Sequence, residues 1–198
     1  DLKPASGEVR IAFLPVTPLL IPEIASGAAG ELEALRTAAR AAVNEVCAGA
    51  TRIGVLVPGT VDAPLRSWRL DGFGLPVGQG QPVELPVAVA GWLLADRPAQ
   101  VVGTGASASS LRQCDAVLVM GDGSSTRTEK APGYSDPRAL PFDESVLAAI
   151  SAGDPVSLAG LDPELASAVG AAGAEVWRRL STQVDEVASA HISAVDDR

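Results

Sequence analysis

Two short segments gather the residue types from which a binding or catalytic site is built. Pro15-Val16-Thr17-Pro18-Leu19-Leu20-Ile21-Pro22-Glu23 follows an apolar run ending at Leu14, and Gly121-Asp122-Gly123-Ser124-Ser125-Thr126-Arg127 follows one ending at Met120. Small and polar groups just beyond a buried strand stand where an α/β sheet holds its ligand. Asp122, between two glycines, suits a metal, a hydroxyl or a backbone amide, and equally a turn that it caps itself. Ser124, Ser125, Thr126 and Thr128 add hydroxyls, and Arg127 adds a guanidinium suited to carboxylate or phosphate. A serine nucleophile needs a base, and the single histidine, His191, lies far along the chain and reads as structural or superficial.

A third segment, Gly103-Thr104-Gly105-Ala106-Ser107, follows a short apolar run and opens a helical pattern. Backbone N–H groups in that setting can hold an anion. It lacks the third glycine of the dinucleotide fingerprint and the Gly-Lys-Ser/Thr of a P-loop, so a plain strand-to-helix turn is the competing reading.

The elements that must position these loops follow from periodicity. Strands are expected at 9–14, 53–57, 100–102 and 116–120, from short apolar runs bounded by proline, glycine or polar residues. From Gly30 to Cys47, Leu32, Leu35, Ala39, Ala42, Val43 and Val46 recur at helical spacing, with Glu31, Glu33, Arg36, Arg40 and Glu45 on the opposite face and Gly49 as the stop. Further helices are expected over 83–94 and around 107–113, then from Asp136-Pro137 to Gly153. Another covers 158–180, interrupted at Asp162-Pro163 and Gly170. Residues 58–86, opened by Pro58 and closed by Pro86, read as a long loop with a small hairpin around Asp71-Gly72. The alternation of Val187, His191, Ile192 and Val195 suggests a last strand. Strands alternating with helices give the expected fold class: α/β, with a largely parallel or mixed central sheet and helices on both faces, in one domain over 1–198.

Composition narrows the partners. The chain of 198 residues is 47% hydrophobic and only 4% aromatic, so Val, Leu, Ile and Ala must build the core. A formal net charge of −9 argues against nucleic acid, whose phosphates demand a basic surface. No apolar stretch reaches the roughly 18 residues that span a bilayer, and no charged-then-apolar leader opens the chain, so a cytoplasmic location without membrane contact is expected. Cys47 and Cys114 stand apart without metal-ligand spacing and read as reduced, packed thiols.

Taken together, the loops resemble the B-subunit family of class III extradiol ring-cleavage dioxygenases. Pro15-Val16-Thr17-Pro18-Leu19-Leu20 is similar to the family's Pro-His-Pro-Pro-Leu-Leu, and Gly121-Asp122-Gly123-Ser124-Ser125 to its Gly-Asp-x-Ser-His. Ala131-Pro132-Gly133-Tyr134-Ser135-Asp136-Pro137-Arg138-Ala139-Leu140-Pro141-Phe142-Asp143 also has the family's look, and the resemblance covers most of the chain.

The resemblance implies a ferrous iron held by two histidines and a carboxylate, with open positions for catecholate and dioxygen. It carries the first ligand position onto Val16, the second onto Gly59 to within a residue, and the acid/base histidine onto Ser125; the glutamate ligand has no counterpart that can be placed. It also implies a glycine-rich, aromatic strand beyond Asp196-Asp197, so a trimmed or partly ordered C-terminus is expected. No cofactor is therefore expected. The expected function is that of a degenerate family member without ring cleavage, binding a small ligand or a protein partner in a strand-end cleft lined by Val16, Thr17, Gly59, Thr60, Asp122, Ser124 and Ser125. Two alternatives stay open. One is a divergent enzyme, either a hard metal on Asp122 and Asp62 or a serine hydrolase. The other is a structural homo-oligomer formed through 58–86 by Trp68, Phe73 or Leu75.

Overall fold

The structure is a computed structural model and describes residues 9–25, 30, 32–74, 76–106, 111–129, 134–184 and 189–194. The chain groups into two compact units, Asp1–Met120 with Ser193–Arg198, and Gly121–Ile192.

The first unit is a five-stranded sheet in the order β1-β7-β2-β6-β3, formed by β1 (Arg10–Leu14), β2 (Ile53–Val57), β3 (Asp62–Leu65), β6 (Ala99–Gly103) and β7 (Ala116–Met120). The first four in that order run parallel, and β3 is antiparallel to β6, so the sheet is mixed. β2 and β7 are buried along their whole length, as continuous apolar runs in a parallel sheet should be. Two helices serve this sheet, α2 (Glu33–Cys47) and α3 (Leu85–Leu94), and a single-turn α1 spans Pro22–Ala25. Connections β1→β2 and β2→β6 step across the sheet one way, and β6→β7 steps back. Right-handed crossovers therefore put α2 and α3 on one face and the β6–β7 connection on the other. Accordingly α2 and α3 touch each other and the sheet, and their core takes in Ala12, Leu14, Val55, Val57, Val101, Leu118 and Met120. On the other face a Cβ at Gly54 would meet Cys114 Sγ at 2.9 Å and Leu111 at 3.0 Å, so the β6–β7 connection lies directly on the glycine.

Polar locks fix the ends. Asp115 accepts from the N–H and hydroxyl of Thr51 (2.8 and 2.7 Å) and from Arg52 N–H (2.9 Å), which holds its carboxyl well below the usual range and aligns β7 with β2. Arg10 donates to the carbonyls of Glu45 and Ala48 at the end of α2 (3.2 and 2.6 Å), and Gly49 turns there with φ +71°. Cys47 and Cys114 are free, buried thiols; burial pushes both up, against the pull of Arg97 and Arg10 on the first and of Arg52 on the second.

Residues 58–86 are more regular than a loop. They hold the edge strand β3 and a hairpin of β4 (Trp68–Leu70) and β5 (Val77–Gln79), closed by a longer connection than the expected tight turn. The Trp68 ring lies against Gly91 of α3 and Gly78 of β5, so that indole packs inside its own unit; Phe73 is 44% exposed and Leu75 lies outside the described residues.

The second unit is helical: α4 (Ala139–Ala152), α5 (Pro155–Ala159), α6 (Pro163–Ala168) and α7 (Ala174–Ser181). The breaks expected at Gly153 and Asp162-Pro163 are caps, and Asp154 adds a cap that was not expected. Gly153 ends α4 in the left-handed region, and Asp154 and Asp162 accept N–H groups at the starts of α5 and α6, each followed by proline. Two expectations are corrected. The helix expected around 107–113 is, in its described part, a 3-10 turn at Leu111–Gln113, and the last strand is absent from the described residues 189–194, which are exposed coil; Val187 and Val195 lie outside them. Among the described residues no helix is long and apolar enough to cross a membrane.

Candidate functional site

The loop leaving β1 is built around three prolines that supply no N–H. Thr17, in extended conformation, accepts from Leu19 N–H (3.3 Å) and opens a 3-10 turn at Pro18–Leu20, after which Ile21 N–H returns to Pro18 O (3.0 Å). Leu20 and Ile21 are fully buried, while Val16 packs half-buried against the core. The carbonyls this turn directs inward meet Arg36 of α2: Nε donates to Leu20 O (2.8 Å), Nη2 to Leu19 O (3.1 Å), and Nη1 to Glu33 (2.7 Å). Arg36 is only 3% exposed, which corrects its expected place on the polar face of α2. The loop needs a buried cation there because the prolines leave its carbonyls in excess.

The loops leaving β2 and β6 are tied to each other. Gly59 (φ +93°) and Thr60 are exposed, and a side chain at Gly103 would strike Gly59 O. Gly103 N–H donates to Val61 O (2.6 Å), Thr104 N–H to Val57 O (3.0 Å), Gly105 N–H to Gly59 O (2.8 Å) and Ala106 N–H to Gly103 O (3.0 Å), while Thr104 Oγ1 accepts from Gly59 N–H (3.2 Å). The anion-cradle reading of this segment fails on that account: its described amides already face carbonyls, and Ser107 lies outside the described residues. Asp62, on the exposed edge, accepts from Gln100 Nε2 at 2.6 Å.

In the second unit, the loop that follows β7 is clamped on two sides. Asp143 of α4, 8% exposed, accepts Ser124 N–H through Oδ1 (2.8 Å) and Ser124 Oγ–H through Oδ2 (2.5 Å), with Arg127 Nε 3.6 Å from Oδ2. From the α6–α7 connection, Val169 O accepts Ser125 N–H (3.0 Å) and the buried Thr126 hydroxyl (3.1 Å), and Gly173 N–H donates to Asp122 O (2.8 Å). Glycines make the close approach possible. A Cβ at Gly121 would stand 2.6 Å from Gly173 Cα, one at Gly123 would stand 2.8 Å from Asp143 Oδ1, and Gly170 leaves room for Ser125 Oγ.

Val16 and Thr17 thus leave one strand and Gly59 and Thr60 another, with β7 between them, while Asp122, Ser124 and Ser125 belong to the second unit. Arg36 and Asp143 were not among the expected site residues. Asp143 carried a signal: with Ala139, Phe142, Val146 and Ala149 it lies on the buried stripe of α4, where an unpaired carboxylate is costly. The three positions that the resemblance assigns to iron chemistry offer an aliphatic side chain, no side chain and a hydroxyl, so they do not fit ferrous iron. Among the described residues no three His, Cys, Asp or Glu side chains gather as a metal-binding set. Neither a family model nor a curated protein matches the chain.

Proposed function

We propose that the chain is a catalytically degenerate relative of the class III extradiol dioxygenase B subunit, without ring cleavage, that uses its strand-exit loops to hold a small ligand or a protein partner. The observation that carries this reading is the mismatch between scaffold and donor set. Val16 follows β1 and Gly59 follows β2 in the first unit, and Ser125 belongs to the second; the resemblance expects two nitrogen ligands and an acid/base at these three positions, and none of them supplies a nitrogen. Two neutral imidazoles removed from a two-histidine, one-carboxylate site leave too few donors for ferrous iron. A hydrolase reading has one supporting contact, the 2.5 Å bond from Ser124 Oγ to Asp143. The same carboxylate oxygens also face Ser124 N–H and Arg127, an arrangement that fixes the loop more than it frees a nucleophile.

The test is anaerobic incubation of the protein with ferrous iron, removal of free metal and elemental analysis, followed by a catechol assay for ring-cleavage absorbance. Iron at background and no absorbance change are expected; near-stoichiometric iron with turnover would end the proposal. Retained binding is read separately with catechol as the probe. A ligand present at 100 times its dissociation constant stabilises the folded state by about 2.7 kcal/mol and so raises the melting temperature.

A further inference from the structure

The two edges of the five-stranded sheet differ in kind. β3 is guarded: it is four residues long, carries exposed Asp62, and contains Pro64, which has no N–H to offer an incoming strand. β1 has no such guard. Its sequence is Arg-Ile-Ala-Phe-Leu, and among the described residues it pairs only with β7. Arg10 N–H donates to Asp115 O (3.1 Å), which sets the alternation: the peptide groups of Arg10, Ala12 and Leu14 face β7, and those of Ile11 and Phe13 face outward.

We propose that this edge pairs with the same edge of a second copy of the chain, antiparallel, with Ala12 on the two-fold axis. The strand is self-complementary in that register. Ile11 stands opposite Phe13 of the copy, and both residues have outward N–H and C=O groups, so the two pairs exchange about four hydrogen bonds. Ile11 and Phe13 share one face of the sheet, giving two apolar cross-strand pairs. At the axis Ala12 meets Ala12 as a non-hydrogen-bonded pair, whose Cα atoms approach to about 4.5 Å, and a methyl side chain suits so close a contact.

Charge selects this register over a parallel one. Arg10, the only charged residue of β1, has its guanidinium on the carbonyls of Glu45 and Ala48, and in the antiparallel ladder it stands opposite Leu14 of the copy. A parallel, in-register ladder would instead stack the two arginines. About four hydrogen bonds fall short of the roughly ten of a standard interface, and each copy carries a formal net charge of −9. The dimer is accordingly expected to be weak, forming in the micromolar range and strengthening as salt screens the like charges.

Sedimentation velocity of the full chain, from low micromolar to several hundred micromolar, is expected to show a monomer–dimer transition favoured by salt. Ile11→Pro removes an outward N–H without touching the β1–β7 ladder, and is expected to abolish the dimer while the monomer keeps its melting transition. Hydrogen exchange on the unmodified chain keeps the question answerable if that variant does not fold. The Ile11 and Phe13 amides should be protected only at high concentration, and Ala12 at both. A chain monomeric throughout, outward amides protected even in the monomer, or a dimer that survives Ile11→Pro but is lost on Phe73→Ser would each overturn the proposal.

Discussion

At the exit of β1 the carbonyls of Leu19 and Leu20 converge on a buried guanidinium, whereas at the exit of β7 the N–H and O–H of Ser124 converge on a buried carboxylate. The polarity of each anchor follows from the composition of the loop it holds. Pro15, Pro18 and Pro22 strip the first loop of donors and leave it rich in acceptors; the second has no proline over 121–127 and adds hydroxyls, so donors are in excess. A buried charge of the opposite kind satisfies each surplus, and each has a counter-ion, Glu33 for Arg36 and Arg127 for Asp143. Reading a strand-exit loop for its balance of donors and acceptors thus says which charge the neighbouring helix must carry.

The largest expected effect is at the carboxylate. Asp143→Ala leaves the Ser124 N–H, the Ser124 hydroxyl and Arg127 without their acceptor, at a cost of about 2–4 kcal/mol, whereas Asp143→Asn keeps an acceptor oxygen and should cost roughly half as much. Trp177 is the only tryptophan of the second unit, with Trp68 and Trp92 in the first, so urea unfolding of a variant with phenylalanine at 68 and 92 reports the second unit alone. A loss below about 0.5 kcal/mol would break the comparison, because a group that costs so little to remove is not an anchor.

Next comes the cation. Arg36→Met keeps the apolar stem and removes only the donors, so about 2 kcal/mol should be lost. Faster exchange of the Leu20 and Ile21 amides should mark the loosened turn. Were Arg36→Met as stable as the parent, the Leu19 and Leu20 carbonyls would have to be reaching water, and the parallel between the loops would fail.

The smallest effect is on acid stability. Arg138 holds the Asp136 carboxyl down to about 2 by donating from its side chain and backbone, and the Ser157 hydroxyl is the first of the groups lowering Asp154. Both carboxyls are depressed in the folded state, so their contribution is complete above the ordinary carboxylate range near 3.9 and is lost as pH falls through the folded value. From these groups the melting temperature should be level through neutral pH and decline between pH of about 4 and 2. Asp136→Asn with Asp154→Asn should flatten that decline at Trp177, while the decline that Asp115 causes in the first unit remains at Trp68 and Trp92.

Elements with a single period were legible in the residues alone. β2 and β7 are uninterrupted apolar runs, α2 keeps its stripe from Leu32 to Val46, and the stops at Gly49 and Gly153 and the break at Asp162-Pro163 carry local chemistry that needs no tertiary partner, whereas the start of α5 at Asp154-Pro155, ahead of the expected Leu158, was missed. β3 was not legible, because Asp62, Pro64 and an outward edge erase the alternation that marks a strand. The two anchors were hidden for a different reason. Arg36 sits among the polar positions of its helix and becomes interior only when a loop some sixteen residues upstream turns its carbonyls inward. Ser125 read as a lining residue of the strand-end cleft, and that its backbone N–H is held by Val169 O is a partnership no local pattern announces.

The strand order bears on how the chain acquires its fold. β7 is the last strand of the first unit to be synthesised, yet it lies between β1 and β2, and its register joins Arg10 to Ala116 across roughly a hundred residues of chain. Before β7 emerges, β1 has no partner strand among the described residues, and there β2 pairs with β6 alone, through Gly54 and Gln100. Docking of β2 and β6 with α2 and α3 is therefore expected to precede closure during synthesis, with insertion of β7 as the high-contact-order step that captures β1. A ribosome-bound chain ending before Ala116 would carry β1 as an unpaired apolar strand, and aggregation during synthesis should peak in that interval and fall once Met120 has cleared the exit tunnel.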